Sequence, residues 1–219
     1  MDFEQAVQDF YTSILRPGDI AIDCGAHTGR HTRPMLDLVG HTGHVYAFEP
    51  LPGPISALAD SVAGKSNITL HNSALGMTRG RASFVHVPDF PEYSGFRERI
   101  YHDENLQREK ISVMVERLDD EVPTIPLTRY IKVDAEGGDL GILRGGEHIL
   151  SVSRPYVTFE CGDNSILNYD YTSADYFDFF HRLGYRITTI LGGEELDRGG
   201  FVESNRVQSV WDYIAWPTM

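Results

Sequence analysis

The sequence has no long apolar stretch and only two cysteines. Its longest uninterrupted apolar runs are four residues long within 219 residues, whereas a membrane-spanning helix needs ~20 apolar residues. The first five residues, MDFEQ, carry neither the basic nor the apolar segment of a secretory signal. Cys24 and Cys161 match no metal-binding spacing such as C-x-x-C. These absences argue against a membrane-spanning, secreted or zinc-binding protein, and we expect a cytoplasmic location.

Positive charge is also scarce. The chain has 19 Lys and Arg residues against 32 Asp and Glu residues, which gives a net charge of −13. Nucleic-acid binding depends on clustered Lys and Arg, and anionic membrane surfaces attract basic segments. We therefore expect neither a nucleic-acid nor a membrane partner. The length and the 41% hydrophobic content fit one globular domain over residues 1–219.

Apolar periodicity predicts strands that alternate with helices. An amphipathic helix is expected within residues 1–16, and the last two strands are expected to follow one another without a helix between them. This alternation is typical of a doubly wound, mainly parallel α/β sheet, with an antiparallel strand pair at one edge. The predicted strands are 20–23, 44–49, 68–74, 81–87, 111–116, 130–134, 155–160, 185–191 and 207–216, and the other predicted helices are 29–40, 53–63, 139–150 and one around 177–183.

Residues 88–110 interrupt this alternation. They contain two prolines, many charges and little periodicity, and so long a connection is usually functional or disordered. We interpret it as an insertion that forms a lid, in which Arg97 or Arg99 meets an anionic group. His102 is placed to reach the site as a base. A solvated surface loop is the alternative.

The most informative stretch, DCGAHTG at residues 23–29, connects a predicted strand to a predicted helix. Gly25 permits a tight turn close to a ligand, and Gly29 lets the helix begin near the sheet. The G-x-x-x-G spacing differs from the G-x-G-x-x-G of dinucleotide sites. Asp23 at the strand end would repel a diphosphate and attract a cation. The turn therefore favours a cationic ligand over a dinucleotide.

Two further signals lie at the ends of the next two strands. Glu49 follows Gly25 by 24 residues, and a carboxylate at this place can accept both hydroxyls of a ribose. Ser73 and Ala74 are small enough to frame an adenine ring. Each signal alone is weak, but their order at successive strand ends predicts a nucleoside-containing ligand.

These stretches resemble the FkbM family of class I S-adenosylmethionine-dependent methyltransferases. The resemblance spans residues 18–162, with one departure, because His27 stands where the family usually has Asn. The matching stretches are DCGAHTGRHT at 23–32, FEP at 48–50, NSALG at 72–76, the strand-ending LDD at 118–120 and IKVDAEG at 131–137.

The resemblance implies a seven-stranded Rossmann-like sheet, S-adenosyl-L-methionine as cofactor and O-methylation of a small-molecule hydroxyl. Sugars, polyketides and other secondary metabolites are the implied acceptors. The implied cofactor-binding residues are Asp23, Gly25, Ala26, Gly29 and Thr32 for the methionine part, Glu49 and Pro50 for the ribose, and Ser73 and Ala74 for the adenine.

Candidate catalytic groups fall on the strand at residues 130–134. Lys132, one of three lysines, interrupts a buried strand, and a buried lysine needs a partner. Asp134 and, if the strand extends, Glu136 share its face. We expect these carboxylates to orient or deprotonate the acceptor, with Glu160 as a second candidate. A purely structural ion pair is the alternative, and no metal is expected.

Two other functions remain open at this stage. A nicotinamide-dependent oxidoreductase uses a similar sheet, although the glycine spacing and Asp23 count against it. A non-catalytic nucleoside-binding module on the same fold is the second alternative.

Overall fold

A computed structural model describes residues 2–99, 101, 103 and 105–218, so His102 lies outside the described residues. The strands are β1 (Ile20–Cys24), β2 (His44–Phe48), β3 (Ile68–His71), β4 (Ala74–Leu75), β5 (Gly80–His86), β6 (Glu109–Glu116), β7 (Thr128–Val133), β8 (Tyr156–Glu160), β9 (Tyr185–Thr189) and β10 (Asp212–Pro217). The helices are α1 (Phe3–Ile14), α2 (Thr32–Val39), α3 (Pro52–Ser61), α4 (Leu118–Glu121), α5 (Asp139–Gly145), α6 (Glu147–Ser153), α7 (Asp163–Ile166), α8 (Ser173–Arg182) and α9 (Arg198–Val207).

Seven strands form one sheet in the order β3-β2-β1-β7-β8-β10-β9. The neighbouring strands from β3 to β8 pair in parallel, and β10 pairs antiparallel with both β8 and β9. This confirms the predicted doubly wound sheet with an antiparallel pair at one edge. The carboxyl ends of the parallel strands therefore meet at one edge of the sheet, where ligands bind in such folds.

Each face of this sheet is covered by its own hydrophobic core. On one face α1, α2 and α3 pack against residues such as Ala21, Ala47 and Tyr130. On the other face α5, α6, α8 and α9 pack against Val133 and Phe159. Successive strand residues point to opposite faces, so Lys132 and Asp134 lie on the face that α1 covers.

The last two strands are not consecutive, which corrects the sequence prediction. Helix α9 lies between β9 and β10, so the predicted strand over 207–216 begins only at Asp212. The helix has little apolar periodicity, because it carries two glycines and buries Phe201 as its one large apolar side chain. Asp197 begins it by accepting a hydrogen bond from the Gly200 N–H at 2.7 Å. Burial of Phe201 in the core stabilises a helix that the local sequence does not favour.

A second sheet, in the order β4-β6-β5, was not expected as a separate unit. The strand predicted over 68–74 ends at His71, and Ala74 pairs instead with Val115 of β6. The helix predicted over 139–150 is two helices, α5 and α6, divided at Gly146. The LDD stretch forms the short helix α4 rather than a strand end. Asp119 there accepts hydrogen bonds from the N–H groups of His148 and Ile149 at 3.1 and 3.0 Å.

In the described part of the chain, no helix has both the length and the apolar content that crossing a bilayer requires.

Candidate active site

A cavity of about 430 Å³ opens at the carboxyl ends of β1, β2, β7 and β8. This volume lies in the ~300–1,000 Å³ range of small-molecule sites. Three of the predicted residues, Asp23, Gly29 and Thr32, lie behind the walls of the cavity. The predicted residues that line it are Gly25, Ala26, Glu49, Pro50, Ser73, Ala74, Lys132, Asp134 and Glu136.

The glycine turn after β1 brings the backbone against the end of β7. Gly25 has a φ of +83°, and a Cβ there would lie 1.9 Å from the backbone oxygen of Asp134. Only glycine fits this contact. The N–H groups of Gly25 and Ala26 both donate to the Phe48 carbonyl at 3.0 Å. The turn is therefore fixed between the ends of β2 and β7, and its surface forms one wall of the cavity.

Glu49 directly follows β2, and two backbone amides hold its carboxylate. It accepts hydrogen bonds from the N–H groups of His27 at 2.9 Å and Leu51 at 2.8 Å. Burial raises the pKa of Glu49 to about 7, although these two hydrogen bonds act to lower it. Each oxygen of an ionised carboxylate has a further lone pair. Glu49 can therefore accept two hydroxyl groups from the cavity while it stays anchored to the loop.

Lys132 lies between two carboxylates on the face that α1 covers. Its Nζ donates to Asp134 Oδ2 at 2.9 Å, and its backbone position is opposite Asp23 on β1. Burial alone would lower the pKa of Lys132, but Asp134, Asp23 and Glu4 together outweigh burial and raise it. Lys132 is therefore a cation at neutral pH, and the ion pair predicted with Asp134 is found.

Asp23 has no exposed surface. One of its oxygens accepts a hydrogen bond from Thr32 Oγ1 at 2.6 Å, and the other has no hydrogen-bond partner among the described residues. In this structure Asp23 and Thr32 support the glycine turn from behind. Their direct contact with a ligand stays a prediction.

Glu136 does not share the face of Lys132, because the chain has left the strand. Its φ is +51°, and it pairs with Arg99 of the insertion. Asp134, Glu136 and Glu160 each place an oxygen within 4.8 Å of the others. The spacing would suit the oxygen ligands of a cation, but Lys132 and Arg99 already pair with two of the three acids.

Several residues of the cavity were missed by the sequence analysis. Asp212 and Trp211 come from the start of β10, and Phe3, Glu4 and His31 come from α1 and from the residue before α2. His31 lies within the DCGAHTGRHT stretch, but its residue type alone indicated no role there. No sequence pattern marks the other four, because they reach the cavity only through the packing of distant elements. Of the insertion, Pro91, Ser94, Phe96 and Arg99 line the cavity, and the closing motion of a lid stays a prediction.

The site has two chemically different ends. A glycine turn, an anchored acid and the small residues Ser73 and Ala74 form a wall suited to a nucleoside. Beside it lies an acidic end with Asp134, Glu160 and Asp212. This combination, on a doubly wound sheet, suits an enzyme that takes a nucleoside-containing ligand beside a carboxylate-lined space.

Comparison with known proteins identifies the class. The methyltransferase FkbM domain matches residues 23–187, well over half of the chain. No curated protein matches the sequence.

Solved structures with the same fold are also methyltransferases or methyltransferase-like. Methyltransferase FkbM from Methylobacillus flagellatus KT is 17% identical with a TM-score of 0.54, and the match covers 95% of this chain but only 50% of that one. A precorrin-6y C5,15-methyltransferase from Geobacter metallireducens GS-15 is 15% identical with a TM-score of 0.52, over 98% of this chain and 89% of that one. Fibrillarin from Aeropyrum pernix, solved with natively bound S-adenosyl-L-methionine, is 13% identical with a TM-score of 0.50, over 96% and 73% of the two chains. At these identities the likeness shows a shared fold.

The chain belongs to the FkbM methyltransferase family and is an S-adenosylmethionine-dependent methyltransferase. This assignment replaces the nicotinamide-dependent alternative.

Proposed function

We propose that the chain transfers the methyl group of S-adenosylmethionine to a hydroxyl oxygen of a small molecule. The observation that carries this proposal is the acidic end of the cavity, where Asp134, Glu160 and Asp212 lie beside the nucleoside wall. Carboxylates accept hydrogen bonds from hydroxyl groups and can take their protons. A cavity of about 430 Å³ favours a compact acceptor.

The residues of the other end fit the cofactor. Gly25 has no side chain, so the backbone of the turn forms the cavity wall at this point. Glu49 has free lone pairs that can accept hydrogen bonds from ribose hydroxyls. Ser73 and Ala74 lie where they would flank the adenine. When bound, S-adenosylmethionine supplies an electrophilic methyl group on a positively charged sulfur. Acids at the neighbouring strand ends stabilise such a charge.

The chain's own residues then position the acceptor. Lys132 fixes Asp134 through the 2.9 Å ion pair, so one carboxylate oxygen is held while the other stays available to an acceptor hydroxyl. Trp211 lines the cavity next to Asp212 and offers a flat apolar surface for the carbon skeleton. Sugars, polyketides and other secondary metabolites combine hydroxyl groups with such skeletons.

Composition supports the remaining parts of the proposal. A net charge of −13 disfavours nucleic-acid and membrane partners. A cytoplasmic location stays a prediction.

A labelled-methyl transfer screen tests this function. Isotope-labelled S-adenosylmethionine is incubated with glycosylated and hydroxylated metabolites, amines and RNA, and products are identified by mass spectrometry. We expect the label on an oxygen of a small molecule, and a rate ~10- to 100-fold lower for Asp134→Asn because a positioning carboxylate is lost. Asp170→Asn, at an exposed residue, serves as the matched control. Label found only on amines or only on RNA contradicts the proposal.

A further inference from the structure

Two carboxyl groups face each other across neighbouring strands at the acidic end of the cavity. Asp212, the first residue of β10, is directly opposite Glu160, the last residue of β8. The Cys161 N–H donates to the Trp211 carbonyl at 3.0 Å, and the Glu160 N–H donates to Asp139 Oδ1 at 3.3 Å. Asp212 and Glu160 are thus a non-hydrogen-bonded pair, in which Cα atoms lie ~4.5 Å apart and side chains are closest. Residues that are directly opposite point to the same face of the sheet.

Among the residues that the structure describes, no cation forms an ion pair with either carboxyl group. Lys132 donates to Asp134, and Arg99 pairs with Glu136. Neither Glu160 nor Asp212 forms an ion pair with a described residue, although Arg99 is near enough to Glu160 to act on it electrostatically. Lys132 acts in the same way on Asp212, and the other charged groups that act on the pair are acids: Asp134 after β7, Asp139 of α5 and Glu4 of α1.

Two such carboxyl groups resist ionising together. Burial, followed by the charge of Asp134, raises the pKa of Asp212 to about 7, although Lys132 acts to lower it. Burial, followed by Asp134, Asp139 and Asp212, raises the pKa of Glu160 well above its ordinary range. The two groups therefore titrate as a pair that keeps one proton near neutral pH.

We propose that the Glu160–Asp212 pair is the proton acceptor of the methyl transfer, with Asp212 as the carboxylate that takes the proton. This assignment rests on the proposed function, because it needs a hydroxyl acceptor. The acceptor oxygen forms its bond to the methyl carbon as the carbon–sulfur bond breaks, and the bonding electrons stay on sulfur. The hydroxyl proton passes to Asp212 and then to solvent.

The geometry favours this pair over the other acids. Asp134 and Glu136 each have a carboxylate oxygen engaged by a cation. Both carboxylate oxygens of Asp139 accept hydrogen bonds, from the N–H groups of Ala135 and Glu160. Asp212 lies outside the residues that match the family, 23–187. Asp134 and Glu160 place carboxylate oxygens within 4.8 Å of one another, and Asp212 lines the same cavity, so an acceptor hydroxyl held at Asp134 would lie beside the pair.

Carbon-13 NMR of the ligand-free protein tests the pair without any acceptor. With labelled Asp and Glu carboxyl carbons, we expect the carboxyls of residues 212 and 160 to titrate in two separate steps, both above the ordinary range. Asp212→Asn should move the Glu160 titration towards lower pH, because the neighbouring carboxylate that is already ionised when Glu160 titrates is removed. Asp170→Asn should leave both unchanged. Ordinary titration of both groups near pH 4, the usual range for carboxyls, overturns the proposal.

Kinetics with the acceptor found in the screen test the catalytic role. In the wild type, kcat should rise with pH through about 7 as Asp212 loses its proton. Asp212→Asn should lower kcat ~100-fold and abolish that rise, with the affinity for S-adenosylhomocysteine unchanged. Asp170→Asn should retain both the rate and the pH profile.

The outcomes separate the two proposals. If the wild type binds S-adenosylhomocysteine but methylates no hydroxyl, the proposed function fails. If it methylates a hydroxyl while Asp212→Asn and Glu160→Gln keep the wild-type rate and pH profile, only the proton-acceptor assignment fails. Activity lost with EDTA and restored by Mg²⁺ also overturns it, because the acids would then be metal ligands.

Discussion

His27 has a backbone conformation that most side chains avoid. Its φ is +47°, in the left-handed region where glycine and asparagine are the favoured residues. Its N–H donates to Glu49 at 2.9 Å, so the loop conformation serves the cofactor wall. The ring gains little in return, since Nε2 is buried and has no hydrogen-bond partner among the described residues.

His27→Asn should therefore stabilise the protein by about 0.5–1 kcal/mol, because Asn tolerates the left-handed conformation and removes the buried ring nitrogen. Urea denaturation measures this change in the free energy of unfolding. The affinity for S-adenosylhomocysteine should change little, since the backbone N–H that holds Glu49 remains. His41→Asn, at an exposed histidine, is the control. A His27→Asn protein that is less stable than the wild type contradicts this explanation.

Individual site residues could be predicted from the sequence where the type of side chain and its position at the end of a strand together suggest a role. Gly25, Glu49 and the Lys132–Asp134 pair belong to this group. Glu136 lines the cavity, but whether it shares the face of Lys132 stayed open in the sequence, because alternation along a strand cannot reveal that the chain turns after Asp134. Asp212 was missed because its place beside Glu160 depends on strand pairing between distant segments.

At the scale of elements, α1 connects the edge of the cavity to the core. Val7 and Tyr11 are buried against the sheet, while Glu4 pairs with His31 at the cavity wall. His31 Nδ1 also contacts the Tyr11 hydroxyl at 3.2 Å. The hydrogen bond from His31 is the main cause that lowers the pKa of Glu4 to about 2. The helix is thus fastened at its amino-terminal end by a carboxylate–imidazole pair.

Glu4→Gln should lower the free energy of unfolding at pH 7 by about 1 kcal/mol. The lowered pKa of Glu4 taken alone would correspond to a larger loss of stability. However, 47% of the Glu4 side chain is exposed, so solvent screens the pair and reduces its contribution. Because the folded pKa of Glu4 is lower than the unfolded one, its contribution to stability is present above the ordinary pKa of 4.5 and is lost as pH falls through about 2. Urea denaturation of the wild type and Glu4→Gln at several pH values should show the difference shrinking across this range.

Asp9→Asn, on the exposed side of the same helix, is the control for this series. The Glu4→Gln effect should disappear in a His31→Gln background, since the partner is gone. An equal loss of stability in both backgrounds would show that the pair does not fasten α1.

Element prediction failed where tertiary pairing overrides local pattern. Helix α9 has a weak apolar pattern and exists because Phe201 is buried in the core. The small sheet of β4, β5 and β6 could not be foreseen, because alternation of apolar and polar residues predicts that a strand forms but not which other strand it pairs with. The main parallel sheet was predictable because its buried strands read as short apolar runs between helical segments.

At the scale of the whole molecule, the negative charge is concentrated where the reaction would occur. Asp23, Glu49, Asp134, Glu160 and Asp212 all lie at one edge of the main sheet, within or next to the cavity. Burial raises the pKa of Glu49 and of Asp212 to about 7 each. Because these buried acids are partly protonated near pH 7, the negative field that they would present to a cationic methyl donor becomes stronger as pH rises.

Calorimetric titration with S-adenosylhomocysteine tests the central claim most directly, that this cavity holds the cofactor with Glu49 on the ribose. The wild type should bind in the micromolar range or tighter at pH 8, and more weakly at pH 6, because protonation of Glu49 removes a hydroxyl acceptor. Glu49→Ala should weaken binding ~30- to 300-fold, as two hydrogen bonds to a charged group are lost, while Glu203→Gln should bind like the wild type. Absence of binding by the wild type, or unchanged affinity in Glu49→Ala, would contradict the account.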